Sequence, residues 1–139
     1  MTRYVFVGLM LIAIAGCGGG GIPRAAVEGQ VTLDGVPIEK GSIFFRPTGE
    51  TKGMSAGGPI ANGRYELPAD KGPVVGTNLV EIHADRRTGR KVPVIVGDPR
   101  EGVKDEVVEA IPDRYNTQTK LTCQIDSGSN ERDFALTTK

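Results

Sequence analysis

Val27, Gly29, Val31 and Leu33 alternate with Glu28, Gln30, Thr32 and Asp34. A period of two with one apolar side predicts a half-buried β-strand. Asp34-Gly35 follows, a pair able to take positive φ and turn the chain. Ser42 to Arg46 predicts a second strand. Its centre, Ile43-Phe44-Phe45, is either covered on both sides or leaves one Phe partly exposed. Pro47 and Gly49 end it. Asn62-Gly63 lies between Met54–Ala61 and Arg64-Tyr65-Glu66-Leu67, the strongest short-range hairpin signal in the chain. From Thr77 to Asp85 the alternation returns, with Val80, Ile82 and Ala84 on one face and Glu81, His83 and Asp85 on the other. Val92 to Val96 reads as a further strand, which Pro93 restricts to a sheet edge.

The pattern weakens between Gly102 and Ile111. Val103, Val107 and Ile111 recur every four residues, as on a helix, while Val107-Val108 suits an extended segment; the reading adopted is a loop or irregular edge. Lys120 to Asp126 alternates cleanly, with Leu121, Cys123 and Ile125 on one side. Ser127-Gly128-Ser129-Asn130 makes a turn, and Phe134 and Leu136 close the last strand. Seven or eight short strands and almost no helix predict an all-β protein, an antiparallel sandwich of two sheets. Twenty glycines and nine prolines in 139 residues agree, because so much punctuation breaks long helices. The length allows one domain, and a domain of this size buries about two thirds of its unfolded surface without a disulfide.

The first residues follow a different pattern. Arg3 precedes an unbroken apolar run from Val5 to Ala15, 11 residues long. Spanning a bilayer takes about 20 residues, so the run has the proportions of a signal-peptide core. It leads into Ile14-Ala15-Gly16-Cys17. Aliphatic, small, small, Cys resembles the lipobox of bacterial lipoproteins, and the resemblance implies that Cys17 becomes the acylated first residue of the mature chain. Each buried methylene contributes about 0.8 kcal/mol, so two or three acyl chains would hold the protein on a membrane. The competing reading is an ordinary secretory signal with a chance Cys. The predicted division is a signal peptide 1–16, a lipidated Cys and Gly-rich tether 17–25, and a β-sandwich domain 26–139. Gly18, where Asp would signal inner-membrane retention in that family, implies the outer membrane, periplasmic or surface-facing. With Cys17 carrying lipid, Cys123 has no intramolecular partner.

Several blocks of the domain resemble carboxypeptidase regulatory-like domains. The opening Val27-Glu28-Gly29-Gln30-Val31-Thr32-Leu33-Asp34-Gly35-Val36-Pro37-Ile38 matches their first strand and turn. Gly41-Ser42-Ile43-Phe44-Phe45-Arg46-Pro47 matches the second block, and Asn62-Gly63-Arg64-Tyr65-Glu66-Leu67 the third. Near the end, Ile111-Pro112-Asp113-Arg114-Tyr115-Asn116 and Phe134-Ala135-Leu136 resemble a subgroup of small lipoproteins of planctomycete-type bacteria. The resemblance spans about residues 25 to 137. It implies a Greek-key sandwich of the transthyretin (prealbumin) or immunoglobulin-like kind, and a structural or accessory binding role without catalysis. A transthyretin-like hydrolase would require several His and Arg residues and a Tyr-Arg-Gly-Ser ending, whereas this chain has one His and ends Leu136-Thr137-Thr138-Lys139.

Charge and candidate chemistry narrow the functions further. Seventeen basic and 17 acidic residues leave no net charge, so nothing favours nucleic acid as a partner. One His and two Cys leave almost no material for a zinc site, and no cofactor is expected. Gly53-Met54-Ser55-Ala56-Gly57 has the spacing of a nucleophile elbow, but Gly58-Pro59 blocks the helix that motif needs, so no catalytic residue is assigned. Glu81, His83 and Asp85 read as a solvated polar face, Cys123 as inert core, and Asp126 to Glu131 as a turn that lacks a full calcium-ligand set. Arg86-Arg87-Thr88-Gly89-Arg90-Lys91 holds four cations in six residues, read as a solvated hairpin loop; the alternative is a patch for anionic lipid or polysaccharide. Tyr65 and Tyr115 are the candidate aromatic platforms for a glycan. The expected protein is a non-enzymatic, lipid-anchored envelope protein whose partners are the membrane and an envelope protein or glycan. The alternative is a carbohydrate- or peptide-binding accessory module of an envelope complex.

Overall fold

The computed structural model describes residues 20–95 and 97–139. Ten strands follow in order: β1 (Ala26–Leu33), β2 (Val36–Pro37), β3 (Lys40–Pro47), β4 (Ala56–Ala61), β5 (Arg64–Leu67), β6 (Gly76–Ile95), β7 (Asp98–Glu109), β8 (Thr122–Ile125), β9 (Ser129–Glu131) and β10 (Phe134–Leu136). Asp113–Tyr115 forms a single 3-10 turn. The protein is all-β, with a sandwich-like body.

The turn chemistry acts where the sequence places it. Asp34 and Gly35 have φ of 51° and 80°, Asn62 and Gly63 of 51° and 76°. Positive φ at both central residues is what the tightest hairpins require. The first turn folds β2 back on β1, and the second joins β4 to β5.

Hydrogen bonding runs continuously through β10-β1-β5-β4-β3-β6-β7. The expected sandwich is thus built from one continuous, open sheet. The C-terminal run spans the two sides, β8 lying on β6 while β9 and β10 lie on β1. Those last two pairings are parallel, and the others antiparallel. Gly29 makes the close approach possible, since a Cβ there would collide with the Arg132 carbonyl.

Inward rows from both halves meet in one core. Val27 and Val31 come from β1, Ile43 and Phe45 from β3, Val80 and Ile82 from β6, and Ile125 from β8, all at most 1% exposed. Phe45, Tyr65 and Phe134 cluster with ring centroids 6.0 to 6.5 Å apart. Burying a side chain such as Phe45 contributes about 1.5–3 kcal/mol. Phe44 points outward and is 41% exposed, so β3 is covered on one face only.

Two segments that the sequence reads as irregular meet in the same place. Arg86–Lys91 is not a hairpin loop, because β6 continues through it to Ile95, with a register shift between Arg87 and Lys91 where Gly89 takes positive φ. Gly102–Ile111, read as a loop or irregular edge, is an irregular edge: Asp98–Glu109 is the antiparallel partner β7, with register shifts. Acidic side chains on β7 face the cations of β6. This cross-strand pairing, between segments distant in sequence, stabilises extended chain where local composition reads as turn.

Candidate functional site

β6 leaves the body at Ala84. β3 pairs with it only as far as Gly41 opposite Ala84. Just before β3, the chain is committed elsewhere: the Ile38 amide donates to the Val31 carbonyl (3.1 Å), and the Ile38 and Glu39 carbonyls accept from Gly63 and Asn62 (2.7 and 2.9 Å). The sheet therefore splits. One branch turns toward β1, and the other continues as a two-stranded ribbon, β6 with β7. From Asp85 to Ile95 the ribbon extends 11 residues, roughly 35 Å at the rise of an extended strand.

Cross-strand pairs lace the ribbon. Lys91 Nζ lies 2.5 Å and Arg87 3.5 Å from the Asp105 carboxylate. Arg90 lies 3.7 Å from Glu106, and the Thr88 hydroxyl donates to Glu106 at 2.6 Å. The basic cluster is thus partly neutralised in place, which weakens the anionic-surface alternative. Arg86 has no carboxylate within ion-pair range among the described residues.

His83 fastens the root of the ribbon. Its Nδ1 lies 2.8 Å from Glu109 Oε2 on β7, and its Nε2 3.2 Å from Glu81 Oε1. Arg46 pairs with the other Glu81 oxygen at 3.2 Å, and the Phe44 ring meets the imidazole edge-on at 6.2 Å. Burial disfavours protonation of His83, but hydrogen bonds to Glu109 and Glu81 outweigh it and raise the pKa above its ordinary value. Burial also opposes ionisation of Glu109, yet amide donors from Ala84 (2.9 Å) and Ile111 (3.0 Å), together with His83, hold its pKa below the usual value. Glu109 is the partner that period-two reading of β6 missed. The signal is the acidic spacing Asp105-Glu106 and Glu109 in a segment read as a loop or irregular edge.

Between the two branches of the split lies a cleft of about 700 Å³. Leu33, Val36 and Ile38 line one wall, and Ala84, Ala110 and Ile111 the other. Glu39, Lys40, Asp85, Arg86 and Arg87 stand around it. The volume falls within the usual range of ligand pockets. The Ala84 carbonyl accepts from the Ala110 amide at 2.8 Å, and the Ala84 amide donates to Glu109, so both point toward β7. By alternation along a strand, Asp85 and Arg87 direct their backbone groups to the opposite side, where Lys40 of β3 ends the pairing and Arg87 lies beyond it beside the cleft.

The other candidate residues fall apart from one another. Cys17 lies outside the described residues. Ser55 is exposed just before a strand, β4, and has no hydrogen bond to His83 among the described residues. Asp85 is not a partner of His83. Cys123 is 7% exposed, and burial pushes its thiol above the ordinary pKa. Asn130 closes the Asp126–Glu131 turn: its Oδ1 accepts from the Asp126 amide (2.9 Å) and its Nδ2 donates to the Ala26 carbonyl (3.0 Å). Among the described residues no cluster of His, Cys, Asp and Glu has the geometry to hold a metal ion.

Tyr65 is not a surface platform. It is 3% exposed, and its hydroxyl donates to the Arg132 carbonyl at 2.6 Å; an aromatic flanked by Arg64 and Glu66 is the inward member of its strand. Tyr115 is half-buried, with the Arg114 guanidinium 4.9 Å over its ring. One face of that ring is therefore taken. Comparison with family models, curated proteins and solved structures finds no match.

Proposed function

We propose that this protein is a lipid-anchored component of a bacterial cell envelope whose β-sandwich binds or braces and performs no catalysis. The observation that carries the reading is Ile14-Ala15-Gly16-Cys17 after the apolar run from Val5. The resemblance of the body's sequence blocks to carboxypeptidase regulatory-like domains supports an accessory rather than an enzymatic role. The geometry suits tethering. The chain enters the body at Arg24, bridged to Val74 and hydrogen-bonded by its guanidinium to Gly72. That end carries the start of β6, whereas the cleft and ribbon lie beyond its other end at Ala84. An anchor at Cys17 would join the body at the end opposite the cleft. A transthyretin-like form of the sandwich, implied by the resemblance, and an outer-membrane destination, implied by Gly18, belong to the same proposal.

Detergent phase partition of the full chain tests it. The wild type is expected in the detergent phase, with an N-terminal peptide beginning at Cys17 and carrying acyl mass, and Cys17→Ser in the aqueous phase or unprocessed. A mature chain that begins elsewhere, or that stays in buffer, overturns the reading. The second reading is an accessory module for a carbohydrate or peptide. The open cleft favours a peptide, since burial of Tyr65 and the stacked Arg114 leave little aromatic surface for a sugar.

A further inference from the structure

We infer that the end of the body nearest the anchor is a membrane-docking foot, from which Ile22 and Met54 enter the headgroup layer of the bilayer that holds the lipid. The inference deepens the anchoring proposed at Cys17 and rests on it.

Three observations converge. First, two exposed apolar side chains stand together at that end. Met54, 76% exposed, is the most exposed large apolar side chain among the described residues, and Ile22 is 53% exposed. Gly53 joins them, since a Cβ on it would lie 3.5 Å from two methyl carbons of Ile22. Apolar residues scattered singly on a surface are ordinary, whereas these two are adjacent and neither belongs to the core.

Second, the foot is held in shape. Met54 lies in the connection 48–55 between β3 and β4, and that connection is fastened to the start of β6. The Thr48 amide donates to the Thr77 carbonyl (3.1 Å), and the Thr77 amide donates to Thr51 Oγ1 (2.9 Å). Gly53, with φ of 138°, sits so close to Val74 that a Cβ would come within 2.7 Å of its side chain. Beside Ile22, the Val75 amide donates to the Pro23 carbonyl (2.9 Å), and Arg24 bridges to Val74. A surface ordered in advance loses little freedom on docking.

Third, chain length names the occupant. Ile22 lies five residues after Cys17, and five residues reach at most about 18 Å however they run. The headgroup layer is about 5–8 Å deep on each side of the hydrocarbon, so a lipid on Cys17 keeps Ile22 within reach of it. Insertion is then an intramolecular step, for which two side chains suffice that would not hold a bilayer from solution. The attachment by itself sets a distance and not an orientation. The foot sets the orientation, and directs the cleft and ribbon away from the bilayer. Charge takes little part. Lys52 and Lys71 are matched by Glu50 and Asp70, and Arg132 pairs with Asp126 at 3.3 Å, so the foot suits zwitterionic lipid.

The test exploits the absence of Trp from the chain. Met54→Trp and, as a control on the ribbon, Val103→Trp are reconstituted in lipidated form into phosphatidylcholine vesicles that contain a brominated lipid, a quencher of indole fluorescence. Both positions are exposed, 76% and 64%, so neither substitution disturbs the core. Both variants should float with the vesicles. Met54→Trp should lose most of its emission and Val103→Trp none. Adding Ile22→Glu to Met54→Trp should restore the emission while flotation persists, and high salt should leave the quenching unchanged. Flotation without quenching, or equal quenching at the two positions, overturns the inference and leaves the anchor standing. Quenching that high salt removes overturns it too, because charge would then hold the body down. A chain that does not float overturns the anchor and the foot together.

Discussion

β6 is one strand in two surroundings, and the contrast shows how little strand pattern alone says about stability. Between Gly76 and Ala84 it pairs with β8 over Gly76–Leu79 and with β3 over Asn78–Ala84, and its inward residues Asn78, Val80, Ile82 and Ala84 are all buried. From Asp85 to Ile95 it has only β7, and nearly every side chain is exposed. The first half is held by a core, so its free energy comes from apolar area. The second is held by backbone pairing and solvent-screened ion pairs, which are weak individually, and a two-stranded ribbon on its own is marginal in water. The body thus offers a rigid wall and the ribbon an adjustable one, with the cleft between them.

Core truncation should separate the halves most strongly. Phe45→Ala removes the centre of the Phe45–Tyr65–Phe134 cluster and should cost about 3–5 kcal/mol, read from the urea midpoint at constant slope. Val103→Ala on the ribbon should stay within about 0.5 kcal/mol. Similar losses for the two would show that the ribbon belongs to the cooperative unit. Next comes Tyr65→Phe, which strands the Arg132 carbonyl of a 2.6 Å hydrogen bond and should cost about 1 kcal/mol.

The root of the ribbon should respond to pH. His83 has a raised pKa, so its contribution is fully present below 6.5 and lost as pH rises through its folded-state value. Glu109 has a lowered pKa, so its contribution is present above 4.5 and lost as pH falls through its folded-state value. The pair is therefore intact between those two folded-state values, and NMR titration of the imidazole should give a midpoint above 6.5 that falls in Glu109→Gln. An unchanged midpoint would detach β7 from the body. The smallest effect belongs to Tyr115, where hydrogen bonds with Thr137 and the nearby Arg114 lower the phenol to about 8. Ultraviolet difference titration should show one tyrosine ionising there, moving up toward 10 in Thr137→Val.

The legible parts of this chain were those in which cause and effect are neighbours. Alternation from Val27 to Leu33, from Val80 to Ala84 and from Leu121 to Ile125 assigned strands and inward faces, because a period of two is a property of consecutive residues. Asp34-Gly35 and Asn62-Gly63 assigned turns for the same reason. The order of burial along Ile43-Phe44-Phe45 is set by the core packed on one face of β3, which takes Ile43 and Phe45 and leaves Phe44 outside. Tyr65 was misplaced because the sequence does not say which polar neighbours face water.

The amino-acid sequence by itself thus determined an all-β body, its turns, most of its core rows and the motif around Cys17. Only the tertiary structure decided that Arg86–Lys91 and Gly102–Glu109 form one ribbon, that Glu109 meets His83, and that the sheet splits to leave a cleft. The physical reason is range. Periodicity and turn preference act over a few residues, whereas the ribbon depends on backbone pairing, laced by cation–carboxylate contacts, between positions 14 to 18 residues apart that become neighbours only after the chain has folded back.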